Sequence, residues 1–468
     1  MKMRGMGRLL VASVWFASAA GHSSADTLTD ALIRAYQTSP LLESNRASLR
    51  ALDENVPQAR AIRRPQVSAI AQARVQTEVT DFPFDDNYAA GLQAELLLFD
   101  NGQSAAAIES ARNGVAAGRA SLVNVEQEVL FNAVAAYMDV IQALEFVRIA
   151  LNDVSVLEEQ VEATLNRFEV GEVTRTDVSQ TDARLAGSRG RFVNARGNLE
   201  LARQAYLSAI GSLPGELAPP PPIPDLPATV AEAEQLGVRQ NPAVVAARFN
   251  ERVAVSDFDR ARAATGLNIQ ATTAIEYSGQ QQQQSQFSNS SNFENRFDLS
   301  LGVGASVPLY TGGRNSSLIR QAQQIVEQRK FEIQDAGRSV IEQVNNAWSQ
   351  LAVARALIVA NREQVVAAQI AFEGVTEEAR LGARSTLDVL DADQERLTAE
   401  AEVVRSVRDE YVAAYAVLRA MGFLTVGHLE LGIDSYDPDV YFSQVQRAPT
   451  GGYDTSAVDR IRARWEQQ

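Results

Sequence analysis

Cysteine is absent from the 468 residues. That excludes disulfide frameworks, thiolate metal sites, cysteine nucleophiles and a lipidated N-terminal cysteine together. Histidine is nearly absent too: only His22 and His428 occur, too little imidazole for a metal centre or an acid–base pair. His428 reads as an ordinary surface residue. Gly-x-Ser-x-Gly, Walker A and histidine-rich patterns are missing. Gly302-Val303-Gly304 lies inside a strand pattern and lacks the third glycine of a dinucleotide fingerprint. The chain therefore reads as a non-enzyme without metal or cofactor. Basic excess is lacking as well. The formal net charge is −15, which argues against a nucleic-acid partner, whose phosphates need basic patches.

Long apolar runs are scarce. The one at Leu9–Ala20 has about 12 residues, against the ~20 that a spanning helix needs. It follows Lys2, Arg4 and Arg8 and precedes Ser23-Ser24-Ala25, the pattern of a secretory leader cleaved after Ala25. Losing those three basic residues takes the net charge to about −18, which suits a soluble exterior or a cation-favouring lumen.

What is present is written twice. At an offset of 211 residues, Leu98–Leu213 falls on Leu309–Leu424 without a gap. Phe99 meets Tyr310, Gly102 meets Gly313, Tyr137 meets Trp348, Gly171 meets Gly382 and Gly211 meets Gly422. Upstream the offset is 202, so Ser39-Pro40 meets Asn241-Pro242. The second copy thus has nine extra residues, and its Gln/Ser/Asn-rich stretch Gly279–Asn295 reads as an exposed loop. These boundaries divide the chain into a leader 1–25, a first repeat 26–213, a Pro-rich linker 214–228, a second repeat 229–424 and a C-terminal tail 425–468. The tail has weak periodicity and reads as loose from Ala448 onward.

Each copy runs helix, strand, loop, strand, very long helix, tight turn, return helix. The strand segments Gln66–Thr80, Tyr88–Phe99, Asn268–Ser278 and Arg296–Tyr310 alternate with period two. Val67, Ala69, Ala71, Ala73, Val75 and Val79 share one face of the first, and Phe297, Leu299, Leu301 and Val303 one face of the last. Strands apolar on one side and polar on the other suit a lipid-facing barrel with a wet lumen. A half-buried sheet in a soluble domain has the same pattern, but not the same leader or flanking helices. Four strands cannot close a barrel, and open edges in lipid would leave backbone groups unsatisfied. The barrel must be shared: two protomers would close eight strands and three would close twelve.

No proline interrupts Pro83 to Pro214 or Pro308 to Pro438. From Gly102 to Val170 and from Gly313 to Leu381 the pattern predicts helices of roughly 100 Å, long enough only for a coiled coil or a tubular wall. Return helices Thr174–Gly211 and Ser385–Gly422 climb halfway back. Helices Asp26–Arg64 and Thr229–Thr265, stacked end to end on them, would complete a second strut.

The "LFDNGQ" and "LYTGGR" junctions at Leu98–Gln103 and Leu309–Arg314, and the turns "VGEVTRTDV" (Val170–Val178) and "LGARSTLDVLDA" (Leu381–Ala392), complete the pattern. With the duplication, they make the chain resemble the TolC family of outer-membrane efflux proteins over nearly all of its mature length. The resemblance implies a mainly α fold with a transmembrane β part. In it, each tandem-duplicated protomer gives four strands to a shared 12-stranded trimeric β-barrel above a long periplasmic α-helical (coiled-coil) barrel. It also implies an outer-membrane exit channel of a tripartite efflux or type I secretion system. The implied partners are a homotrimer, a periplasmic adaptor protein, an inner-membrane ABC or RND transporter, and outer-membrane lipid. The missing lipidation cysteine tilts this toward type I secretion or general efflux.

Carried over residue by residue, the resemblance places a periplasmic constriction at Asp388 and Asp391, whose spacing puts both carboxylates on one helix face. Arg384 would tether the neighbouring tip at Thr176 and Asp177. Ala379 stands where some members have a tyrosine in the same lock, which puts the strength of the closed state in doubt. Val170, Gly171, Glu172, Leu381, Gly382 and Ala383 would receive the adaptor, although glycine is also what a tight interhelical turn demands. The rival reading is a barrel-anchored structural or adhesive stalk, which needs the helices but no acidic rings.

Overall fold

A computed structural model describes residues 25–77, 84–283 and 291–447. Three helices, α1 (Leu28–Thr38), α2 (Pro40–Asp53) and α3 (Asn55–Ala61), lead into strands β1 (Gln66–Thr77) and β2 (Phe84–Phe99). Helices α4 (Gln103–Glu169) and α5 (Arg175–Ile210) finish the first copy. The second copy repeats it with α6 (Val230–Gln240), α7 (Pro242–Ala263), β3 (Asn268–Gln283), β4 (Ser291–Ser306), α8 (Arg314–Arg380) and α9 (Thr386–Met421). Helix α10 (Pro438–Arg447) ends the described chain. The expected leader lies outside the described residues.

The strands form one antiparallel sheet in the order β1-β2-β3-β4. Its register aligns the alternating patterns across all four: Ala69 lies opposite Leu92, Leu92 opposite Ile275, and Ile275 opposite Leu299. One face therefore carries Val67, Leu92, Ile275, Phe297, Leu299, Leu301 and Val303, and the other Gln72, Gln93, Glu276 and Asp298. The outer edges of β1 and β4 are unpaired.

Strand ends depart from the pattern in both directions. Of the polar stretch Gly279–Asn295, expected to be a loop, residues 279–283 and 291–295 are paired strand, with Gly279 opposite Asn295 and Gln283 opposite Ser291, and residues 284–290 lie outside the described residues. A ladder is made by backbone groups, so glutamine and asparagine side chains do not end it. Tyr88 lies over Gly279: its hydroxyl donates to Asn295 at 2.6 Å, and a Cβ on the glycine would come within 2.3 Å of the ring. Only glycine fits there. In contrast, β4 stops at Ser306 rather than Tyr310, because Pro308 has no N–H to give the ladder. Leu309 and Tyr310 beyond it are 93% and 90% exposed in the protomer. The expected strand residues Val79 and Thr80 lie outside the described residues.

Helices α4 and α8 are continuous over 67 residues each. Both start after a glycine in the left-handed region, Gly102 at φ +93° and Gly313 at φ +83°, where the chain turns sharply from strand to helix. Helix α4 packs along α5 and α7, and α8 along α9 and α7.

The expected single helices Asp26–Arg64 and Thr229–Thr265 are broken. Pro40 and Pro242 each open a new helix, capped by the Ser39 hydroxyl and the Asn241 carboxamide. Pro57 cannot donate to the carbonyl of Asp53, and the chain breaks again between α2 and α3. The proline kinks are docking points. Thr38 Oγ1 donates to the Ile210 carbonyl at 2.8 Å, and Asn241 Nδ2 to the Ala420 carbonyl at 2.9 Å. Each thus satisfies a carbonyl left orphaned at the end of a return helix. Gly211 (φ +87°) and Gly422 (φ +91°) turn the chain away immediately after.

The main core lies at this level, where α1, α2, α4, α6, α8 and α9 bury Leu32, Leu130, Tyr137, Val344, Tyr415 and Leu418. The Tyr137 hydroxyl lies 2.7 Å from the Ala218 carbonyl and 3.0 Å from that of Asp26, fastening the segment after α5 and the residues just before α1 to α4. Burial, with Tyr206 and Asp26 beside it, pushes that phenol up to about 12, so it remains a donor. The tail is more ordered than its weak periodicity suggests. Helix α10 is held by side-chain contacts: Asp439 pairs with Arg119 at 2.7 Å, and Tyr441 donates to Glu54 at 3.0 Å. Residues from Ala448 onward lie outside the described chain.

Replacing Asn241 by alanine removes a helix cap and strands the buried Ala420 carbonyl, at a cost of about 2–3 kcal/mol. A lowered thermal unfolding midpoint is expected for the assembled protein. An unchanged midpoint would show that the kink is held by packing alone.

Candidate functional site

Both helix hairpins turn at the far end of the long helices, and both use the same backbone device. At the first turn the N–H of Gly171 donates to Phe168 O (3.0 Å) and that of Glu172 to Arg167 O (2.8 Å). At the second, Gly382 donates to Ala379 O (3.1 Å) and Ala383 to Glu378 O (2.9 Å). These are Schellman closures, which need a left-handed residue after the cap; Gly171 (φ +79°) and Gly382 (φ +76°) supply it. Val170 and Leu381 before them are 73% and 86% exposed.

The next helix of each hairpin begins with a capping box. Thr174 and Asp177 exchange hydrogen bonds at the start of α5, and Ser385 and Asp388 do so at the start of α9. The Asp388 carboxylate accepts from the Ser385 N–H at 2.9 Å and from its hydroxyl at 2.8 Å. Those two bonds hold the Asp388 carboxyl below its ordinary range, and the Thr174 bonds do the same for Asp177. Asp388 therefore has a folding role that its spacing from Asp391 does not reveal.

Asp391, one turn further on, accepts from Arg184 Nη2 of α5 at 2.5 Å. Asp388 and Asp391 thus lie close together on α9, as the spacing predicts, but each already has a partner in its own chain. Arg384 donates to Glu378 at 2.8 Å across its own turn, so within one protomer it does not meet Thr176 or Asp177. The first turn has a matching pair, Arg167 to Glu172 at 3.2 Å. Arg167 and Glu378 occupy equivalent positions in the two copies, so each turn is crossed by an ion pair with the charges exchanged, its second member standing one position later in the second copy. Reading the sequence missed Arg184 and Glu378. The duplication offered the signal, since its two copies differ in charge at these positions. No cluster among the described residues could hold a metal ion, and none of the described helices is long and apolar enough to cross a membrane.

Comparison with known proteins adds an independent line. The family model "Outer membrane efflux protein" matches residues 31–212 and 235–422. The chain is 34% identical to the outer membrane efflux protein BepC of Brucella suis, over 90% of this chain and 91% of that protein. It is 27% identical to the alkaline protease secretion protein AprF of Pseudomonas aeruginosa, over 74% of this chain and 72% of that one. Its fold superposes on the crystal structure of CusC with a TM-score of 0.73 at 18% identity, covering 85% of this chain and 92% of that one.

The lowered carboxyl pKa values make the two caps pH-dependent. Their stabilisation is present above the ordinary aspartate range and is lost as pH falls through the lowered values. Amides in the first turn of α9 are expected to exchange slowly at neutral pH. After correction for intrinsic rates, they should exchange faster in Asp388→Ala or on strong acidification.

Proposed function

The chain belongs to the outer membrane efflux protein family and is a channel protein of the Gram-negative outer membrane, and from this we propose that three copies form one conduit from the periplasm to the cell exterior. The unpaired edges of β1 and β4 carry that reading. They cannot face lipid, and joining three four-stranded sheets edge to edge closes a barrel of ordinary size. A bare apolar face on α8 supports the same association lower down: Val359, Val366 and Ile370, which share one side of the helix, are 60%, 60% and 65% exposed in the single protomer. In the assembly the sheet's apolar face meets lipid, its polar face lines the lumen, and the long helices form a periplasmic tube.

The tube narrows at the helix tips, with Asp388 and Asp391 at the constriction. The tips close when Arg384 reaches Thr176 and Asp177 of the neighbouring hairpin, exchanging its bond to Glu378 for an interchain one. Such exposed pairs contribute about 1 kcal/mol or less each, so closure needs several acting in a ring. The turns Val170–Glu172 and Leu381–Ala383 receive a periplasmic adaptor, which delivers an inner-membrane ABC or RND transporter. Among the relatives, one is named for efflux and another for protease secretion, and both uses need the same conduit.

The native chain has no cysteine to interfere with cross-linking. Gln72→Cys on β1, combined in turn with Asp298→Cys, Ser300→Cys and Gly302→Cys on β4, should give covalent trimers on oxidation. A ladder ending at dimers would replace three by two. In planar bilayers the native protein should give small, discrete conductance steps. Asp388→Ala/Asp391→Ala should shift their ion preference away from cations. Steps unmoved by that change would put the narrowest point elsewhere. Absence of current from assembled oligomers, even with Arg384→Ala, would favour the stalk.

A further inference from the structure

The structure assigns Arg184 the setting of ion preference at the constriction: it neutralises the Asp391 ring and leaves only Asp388 to attract cations. This rests on the reading that the constriction lies at Asp388 and Asp391. Arg184 Nη2 stands 2.5 Å from Asp391 Oδ1, joining α5 to α9. Neighbouring side chains hold the pair in place. Leu185 and Leu390, each adjacent in sequence to a member of the pair, are buried together with Val154 and Leu157 in a small core near the tips. Two helices fixed by that core carry the guanidinium and the carboxylate to one level, so the contact does not rest on two free arms finding each other.

The duplication provides an internal comparison. Asp388 has an equivalent aspartate, Asp177, and both close capping boxes, so that carboxylate is explained by folding alone. The equivalents of Asp391 and Arg184 are Gln180 and Glu395, which reproduce neither charge. The pair is therefore no part of the repeated helix-hairpin design. It occurs only where α9 carries its second carboxylate.

In a threefold assembly the Asp391 level then holds three carboxylates and three guanidiniums, a dipolar ring with little net field along the axis. Asp388 has no such partner on α5; the cation near it, Arg384, is bonded to Glu378 instead, and the capping bonds of Asp388 keep it ionised. Asp391 is 59% and Arg184 39% exposed at the side chain, so salt screens both and the effect is strongest at low ionic strength.

The test is the reversal potential of single channels under a potassium chloride gradient, at low and high salt. Arg184→Gln should raise the potassium-over-chloride permeability ratio about threefold or more, and most at low salt. Arg184→Lys should keep the native ratio. Asp391→Asn should move the ratio toward chloride, by exposing an unpaired guanidinium. The double variant Arg184→Gln/Asp391→Asn should return close to native. If Asp388→Asn and Asp391→Asn move the ratio while Arg184→Gln does not, Arg184 has no such role and the constriction stands. Failure of the double variant to compensate would also overturn the pairing. If no variant moves the ratio, Asp388→Asn included, the constriction reading itself fails, and the proposal with it.

Discussion

A backbone N–H or C=O in hydrocarbon must find a partner in the protein, because lipid offers none. The sheet of this chain satisfies that demand between β1 and β4 and leaves it unmet at both outer edges. Nearly every other large feature is a response to the resulting association. The apolar residues bare on α8, the glycine turns that send each β-strand directly into a long helix, and the kinked helices that dock on the return helices all serve a tube built from several chains. A protomer alone would expose a length of helix that no compact domain could cover.

Duplication makes such a tube economical in sequence. One design, with a strand pair, a strut, a Schellman turn and a capped return helix, is used twice per chain, and its backbone features are repeated with little change. Gly171 and Gly382, Thr174 and Ser385, and Asp177 and Asp388 do the same work at corresponding places. The side-chain charges do not follow this rule. Gln180 against Asp391 and Arg184 against Glu395 show where the copies have parted. These differences sit on helix faces that the hairpin fold does not constrain.

Much of this was legible in the sequence, for physical reasons. Period-two alternation is imposed by the pleat, so the facing residues of all four strands could be read directly. The missing prolines permitted the long helices, and the glycines marked their ends to within two residues. Proline and partner chemistry limited the rest. Pro40 and Pro242 split helices that periodicity alone joins, and Pro308 ends β4 early. Glutamines extend β3, and a mostly polar run including Ser291, Asn292 and Glu294 extends β4, because backbone pairing needs no apolar side chain. Helix α10 is held by Arg119–Asp439 and Tyr441–Glu54, contacts between residues more than 300 positions apart that no local pattern announces. At the tips, the family resemblance singled out Asp388 and Asp391, and their spacing put both on one helix face, but neither could show that one caps a helix and the other faces an arginine.

The exchanged cross-turn pairs have a bearing on how such a tube is addressed from below. A ring of six hairpins alike in backbone looks sixfold, yet its turns alternate: Glu172 sits after one glycine and Arg384 after the other. A docking partner that reads only shape would find six equivalent sockets. One that reads charge would find two alternating kinds, three of each, and a single docking sequence could match only one of them. Charge order alone therefore lowers the rotational symmetry of the mouth from six to three.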